Sequence, residues 1–548
     1  RDYYASRGLG DVYKRQDLHL IYTVNVESKG KNIEVTVDLD RPIPQEFIGK
    51  VGFNLEFFPG SLFGKPWIMD GQSGIFPQQP NSPLMTTQPN YLHTGNYHDG
   101  KKSLADMDKL IGKGYSPIVA DDIISEPYAK GTKFTSRPDD PYNKVTIESL
   151  SGDLQLFDGR MNHNNGWFVL RSNIKPGVTK GAVKWIITPN VVADWMYQPV
   201  IQTSQIGYHP TQDKEAVIEM DIRDNRKETA QIIRIDADGE KVVKNVTPAN
   251  WGKFLRYNYL KVNFTDVKEP GLYKIKYNTS VSPIFRIDND VYARGVWQPV
   301  LEYFLPVQMC HMRVNEKYRV WHDCCHMDDA QMAPAHNHID GYDQKEGLSK
   351  FKPGEVVPGV NIGGWHDAGD FDLRIESQAG ESYILALAYE AFHPNLDVTS
   401  IDQINRVTEI HQPDGKNDLL QQVENGALTV VNGYLALGRL YRGIICNDLR
   451  QYVLLGDAAA MTDGKIGNED DRWIFTEDNP GRELSTAAQL AAVSRVLKGF
   501  NDTLSVHCLD IARKVYASTG SGNNRALFPK VQAAVELYLT TGEQPYMD

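Results

Sequence analysis

Two aspartates three residues apart, Asp367 and Asp370, stand in the run Gly-Gly-Trp-His-Asp-Ala-Gly-Asp over residues 363–370. Gly363, Gly364, Ala368 and Gly369 leave the backbone free to turn and let another molecule come close, and paired carboxylates are what hydrolytic proton transfer requires. An acidic surface turn would share this local composition, because Asp and Gly favour turns in any case. Trp365, inside the run, either stacks on a sugar ring or packs beneath the loop.

A second set is Cys310, Cys325, His326 and His366. Two thiolates and two imidazoles make a tetrahedral zinc set that is structural, since four protein ligands leave no open position for substrate. The spacings are too long for a local finger, so the residues alone favour ordinary core cysteines and loop histidines. Cys324 is an alternative to Cys325. The stretch Asp463–Trp473 (DGKIGNEDDRW) is acidic and contains glycine, as calcium loops do, but it lacks the regular ligand spacing of an EF-hand and reads first as a solvated loop. Glu483 is open to the same two readings, and His322, His336 and His338 read as exposed loop histidines.

These residues need a frame. A chain of 548 residues exceeds what one core serves, so several domains are expected. The formal net charge of -12 argues against nucleic-acid or anionic-membrane partners and suits a neutral substrate. Five cysteines, all beyond residue 309, imply no disulfide framework. No apolar run approaches the roughly 20 residues that span a bilayer.

Residues 1–16 differ in composition from the rest of the chain, and Asp11–Gln16 resembles the translation of a sequencing adapter, so this stretch is set aside as an artefact. Residues 17–199 alternate in the manner of strands, as at Ile33, Val35, Val37 and Leu39, and read as a β-sandwich. Its aromatic segments, Phe53–Trp67 and Trp167–Leu170, are core strands first and a sugar platform second. Residues 200–290 read as an immunoglobulin-like sandwich, with strands at Ala216–Ile222, Ile232–Ile235, Tyr259–Phe264 and Leu272–Tyr277. From 291 to 548 the period becomes helical, with helices expected at Val291–Met309, Leu373–Phe392, Leu419–Tyr441, Leu484–Phe500, Leu504–Tyr516 and Ala526–Leu539. The long loops between them carry the unusual residues.

The run at 363–370 followed by an apolar helix resembles the signature of glycoside hydrolase family 9, whose catalytic domain is an (α/α)6 barrel. Ile201–Tyr292, with SQIGYHP, EPGLYKI and FRIDNDVY, is similar to the immunoglobulin-like module that precedes the barrel in one branch of that family. Cys325-His326 resembles the family's Cys-His step, and Ser485–Val493 (STAAQLAAV) its later alanine-rich helix.

The resemblance implies an inverting endo-acting β-1,4-glucanase, with Asp370 as catalytic base and Asp367 as the acid that holds and polarises the attacking water. It implies a structural zinc on Cys310, Cys325, His326 and His366, and calcium as a second cofactor. The expected partner is a β-glucan such as cellulose, mixed-linkage glucan or xyloglucan, and the expected location is outside the cytoplasm. Six helices against the family's twelve imply a partial barrel, a general-acid Glu beyond residue 548 and no activity for this polypeptide alone. The alternatives are an exo-acting glucosidase or glucosaminidase of the same family and a non-catalytic glycan-binding protein. Phe371-Asp372-Leu373-Arg374 departs from the family's usual run after the second Asp.

Overall fold

The strand Asn32–Leu39 buries Val35, Val37 and Leu39 and leaves the residues between them half open, as the two-residue period of a strand dictates. The computed structural model describes residues 20–45, 48–49, 51–80, 84–86, 123–161, 166–334, 344–345, 347–367, 371–446, 464–467, 471–520 and 524–547. In it this strand lies second in a seven-stranded antiparallel sheet, ordered Tyr22–Lys29, Asn32–Leu39, Val183–Pro189, Val145–Ser149, Lys133–Ser136, Pro66–Met69, Gln72–Ile75. A four-stranded sheet of Gly52–Phe57, Phe168–Asn173, Leu154–Asp158 and Ala129–Gly131 completes the sandwich. The two share a core that includes Trp67, Phe134, Leu156, Phe168 and Trp185. Most aromatics of Phe53–Trp67 serve that core, Phe53 edge-on to Trp185 and Phe57 tilted against Phe134. Phe58 and Trp167 are the outward pair, their rings 5.5 Å apart.

Val192–Val300 forms a compact unit of its own. It is an immunoglobulin-like sandwich of one sheet ordered Val200–Gln202, Glu215–Asp221, Tyr257–Asn263, Ala249–Phe254 and a second built on Gly239–Val246, Ala230–Asp236 and Gly271–Tyr277. Ile218, Met220, Ile232, Leu260, Val262 and Ile275 fill the space between them.

The helical region contains α1 (Ile375–Phe392), α2 (Asp418–Leu437), α3 (Pro480–Leu497), α4 (Asp502–Ser518) and α5 (Asn524–Thr541). Asparagine caps start three of them: the side chain of Asn417 accepts from the backbone of Leu419 and Leu420, Asn479 from Arg482 and Asn501 from Leu504. Gly438, at φ 75°, closes α2 in the left-handed conformation that glycine adopts without strain. Helix α1 packs on α2 and α3, α3 on α4 and α5, and α2 on α4. The expected helix Val291–Met309 gives way to turns and bends up to residue 297 and is kept in its second half, helical from residue 298 with a π-helical turn at Val300–Phe304 that runs into Leu305–Gln308. Gly295, at φ 75°, keeps the chain out of the helix ahead of residue 298, whereas Pro299 falls in the first turn, where its missing amide hydrogen has no helical partner to lose.

A small sheet ties the loops together, ordered Gln331–Met332, Arg472–Phe475, Gly443–Cys446, Leu373–Arg374. It brings the segment after Cys325-His326, the end of the 463–473 stretch and the start of α1 side by side. Among the described residues no helix is long and apolar enough to cross a membrane.

Candidate active site and metal centre

Gly363 and Gly364 have φ of 68° and 88° and press directly on α2. The amide of Gly364 donates to the Asn425 carbonyl at 3.0 Å, and the Asn425 side-chain amide returns a bond to the Gly364 carbonyl at 3.1 Å. A β-carbon at Gly363 would lie 2.3 Å from that Asn425 carbonyl oxygen, a backbone atom with nowhere to go. Gly363→Ala is therefore expected to lower stability by about 2–4 kcal/mol in urea unfolding, adding overpacking to left-handed strain. Gly359→Ala is the control: φ is 79° there but no atom lies within 4 Å, so about 1 kcal/mol of strain alone is expected.

Trp365 is buried under this loop. Its indole donates to Gln422 at 2.8 Å, its amide donates to Gln378 Oε1 at 2.8 Å, and Gln378 Nε2 donates back to its carbonyl at 3.0 Å. Of its two readings from sequence, packing is the one observed. Asp367 is partly open, ion-paired with Arg374. Its amide donates to the Asp372 carbonyl at 3.1 Å, and buried Asp372 accepts from the Cys446 amide at 2.7 Å, which anchors the loop to the small sheet. Asp370 lies outside the described residues.

Cys310, Cys325, His326 and His366 are all buried, with one donor atom from each inside a 4.8 Å cluster. Backbone bonds set them there: the Cys310 amide donates to the Gly364 carbonyl at 2.9 Å and the His366 amide to the Gln308 carbonyl at 2.8 Å. The Cys310 and Cys325 sulfurs are 3.9 Å apart, Cys310 Sγ is 3.6 Å from His326 Nδ1, and Cys325 Sγ is 3.4 Å from His366 Nε2. A tetrahedral zinc with bonds of about 2.3 Å to sulfur and about 2.0 Å to nitrogen has edges of about 3.8 Å and 3.5 Å. The donor set fits that ion. Cys324 stands apart, its thiol 3.7 Å from the Arg406 carbonyl.

Electrostatics prepare the donors. Burial, and then the Arg472 charge, push His326 down to about 3, and burial lowers His366 as well, so both imidazoles are neutral with a lone pair to give. Burial opposes ionisation of Cys310, but a hydrogen bond from Cys325 and the positive charge of Arg472 outweigh it and hold its pKa well below the usual thiol range. Burial and the neighbouring Cys310 push Cys325 up.

Arg472 is fully buried. Its Nη2 donates to Cys310 Sγ at 3.4 Å, its Nη1 to the Phe371 carbonyl at 2.5 Å, and its Nε to Asp329 Oδ2 at 2.5 Å. Even with this partner, burial raises Asp329 to about 6. Arg472→Met is expected to cost about 3–5 kcal/mol, because it strands a buried carboxylate. Equilibrium unfolding of Arg472→Met, Asp329→Asn and the double variant measures this, and a double variant no better than the sum of the two singles would refute the coupling.

Residues 196–282 match the cellulase N-terminal ig-like domain, and residues 300–548 match the family model glycosyl hydrolase family 9. Residues 300–548 belong to glycosyl hydrolase family 9. A xyloglucan-specific endo-beta-1,4-glucanase of Bacteroides ovatus is 25% identical over 64% of this chain and 58% of its own length. Endoglucanase D of Acetivibrio thermocellus is 19% identical over 65% of this chain and 54% of its own. The chain thus spans little more than half the length of the curated relatives it matches. Among solved structures, a family 9 protein of Bacteroides ovatus gives a TM-score of 0.45 at 19% identity, covering 64% of this chain and 63% of that one. An endoglucanase of Alicyclobacillus acidocaldarius gives 0.43 at 19%, covering 63% and 60%.

Within the family 9 domain, sequence reading missed several residues that shape the site. Arg374 and Arg472 had no role, yet one holds Asp367 and the other contacts the thiol cluster. Crowding around its carboxyl, and then the charge of Asp367, raise Glu381 on α1 to about 7. His322, read as exposed, is buried, with its Nδ1 2.9 Å from the Asp323 carbonyl and its Nε2 3.1 Å from the Val307 carbonyl. His336 and His338 lie outside the described residues, as do Asp463 and residues 468–470 of the acidic stretch. Its Asp471 and Arg472 are buried rather than solvated. Glu483 pairs with Arg439 at 3.2 Å.

Proposed function

We propose that the protein hydrolyses internal β-1,4-glucosidic bonds of a polymeric β-glucan with inversion at the anomeric carbon. The observation that carries this reading is the family 9 match over residues 300–548, with Asp367 held by Arg374 on a glycine loop that is wedged against α2. Inversion needs one carboxylate to deprotonate a water on one face of the sugar and a protonated carboxyl on the other, roughly 6.5–9.5 Å away. Asp370 is assigned as the base and Asp367 as the group that positions the water, which together make the water-activating half. The relatives named xyloglucan-specific endo-beta-1,4-glucanase and endoglucanase D favour xyloglucan or another β-1,4-glucan cut internally. Polymeric glucans are met outside the cytoplasm, so the protein acts there.

Cys310, Cys325, His326 and His366 are assigned to a structural zinc. Two thiolates balance the ion's charge, and with four protein ligands it would supply rigidity rather than a Lewis-acid position. His366 is adjacent in sequence to Asp367, so holding its imidazole fixes the loop that presents the carboxylate.

The test is product analysis on xyloglucan, mixed-linkage glucan and cellulose with the full-length protein. A rapid fall in viscosity with mixed oligosaccharides, and α-anomers first in the product NMR, is the expected result. Release of terminal units alone would replace this reading with an exo-glycosidase. Binding without turnover would leave a glycan-binding protein.

A further inference from the structure

Phe371, the residue that follows Asp370 in the chain, has a backbone φ of 59°. A bulky side chain in the left-handed region is an outlier, because its β-carbon crowds the backbone, and such strain persists only where the surroundings over-determine it. Here they hold both the ring and the carbonyl. The ring is buried, T-shaped against His366 with centroids 4.8 Å apart and tilted against His326 at 5.5 Å. The carbonyl accepts from Nη1 of the buried Arg472 at 2.5 Å. The next residue, Asp372, turns back to the front of the run, its carbonyl accepting from the Asp367 amide at 3.1 Å and its carboxylate from the Cys446 amide at 2.7 Å.

We propose that Phe371 is a positioning residue for glucan hydrolysis, clamped at its ring and its carbonyl so that its left-handed backbone aims Asp370 and spaces it from Asp367, a role that rests on the assignment of those two aspartates to water activation. The peptide bond is planar, so once the ring and the carbonyl of Phe371 are fixed, φ is the soft torsion on its N-terminal side. Rotation about that bond carries Asp370 with it. Filling the core would account for the buried ring but not for the backbone, since a residue chosen for packing alone has no need of φ 59°. The two imidazoles and the guanidinium that hold Phe371 come from separate stretches of the chain, so the clamp exists only in the folded domain.

The experiment uses the full-length protein and compares Phe371→Ala, Phe371→Gly and Phe371→Leu with the parent. It takes melting points, and kcat and KM per folded molecule on whichever of xyloglucan, mixed-linkage glucan and cellulose the parent cuts. Phe371→Ala and Phe371→Gly are expected to lower kcat at least about ten-fold with KM changed by less than about two-fold, since misplacing a reacting group by about 1 Å costs on the order of 10²-fold. Stability and activity should part company. Phe371→Gly is expected to melt at or above Phe371→Ala, because glycine takes φ 59° without strain, yet to turn over at least about three-fold more slowly, because it frees the torsion. Phe371→Leu keeps most of the volume and decides the matter where the smaller residues do not fold; its kcat is expected to fall about three-fold or more at unchanged KM. Activity that follows stability across the variants, kcat within about two-fold of the parent, a loss confined to KM, or a Phe371→Leu protein that does not fold would each overturn the proposal. A parent that cuts none of the three glucans would instead overturn the assignment of the aspartates, and the role of Phe371 with it.

Discussion

Metal analysis of the folded protein is expected to return one zinc per chain, and Cys325→Ser is expected to abolish it. Cys310, the Cys325-His326 step and His366 come from three stretches of the chain, and the sulfur–sulfur and sulfur–nitrogen separations of 3.9, 3.6 and 3.4 Å match the edges of a zinc tetrahedron. Replacing a thiolate with a hydroxyl removes one of two charges that neutralise the ion, so affinity should fall more than about a hundred-fold. Structural zinc supplies folding free energy outright, and the melting point should drop by about 10 °C or more on chelation. Acid should act in the same direction. The imidazoles are neutral in the folded state, His326 with its pKa near 3, whereas an unfolded His takes up a proton near 6.5. The contribution of His326 is therefore full above about pH 6.5 and is lost progressively as pH falls toward 3, because the unfolded chain binds the extra proton. A chain with no bound zinc, or a melting point indifferent to chelator, would remove the metal centre from this account.

In the full-length protein, turnover is expected to fall about 10²–10⁴-fold in Asp370→Asn, with KM little changed, because the general base proposed for Asp370 works on the transition state and not on ground-state binding. Asp367→Asn should follow the same pattern less steeply. It retains shape and part of the hydrogen bonding but weakens the ion pair with Arg374, so the loss has a positioning character. Arg374→Met separates the two: it leaves the carboxylate and removes only its holder. If Arg374→Met leaves kcat intact, Asp367 does not need that partner to place the water. Hydrolysis that survives in Asp370→Asn would show that the base lies elsewhere.

Periodicity made α1 to α5 legible because each buries a face on its neighbours, and three of them start at an asparagine whose side chain caps the first turn. The same reading held only for the second half of Val291–Met309, since a left-handed glycine at 295 outweighs the apolar pattern ahead of residue 298. The two glycines of the opening run could be read as conformational freedom. Their second role, yielding space to the Asn425 carbonyl and the Thr429 hydroxyl, depends on a helix about 60 residues later and has no local trace. Burial is the other blind spot. Arg472 and Asp471 sit in an acidic, hydrophilic stretch that looks solvated, and only a partner such as Asp329, which is 143 residues away, explains why a guanidinium can enter the core.

Arg472 is one positive charge in contact with two acids of different kinds, the Cys310 sulfur and the Asp329 carboxylate. They compete for a single counter-ion. Whatever neutralises one, a proton or a cation, releases more of the guanidinium's field to the other, and thermodynamic reciprocity requires the return effect to be equal in size. The acidity of a thiol and the acidity of a carboxylate, ordinarily separate properties, are in this protein linked through one side chain.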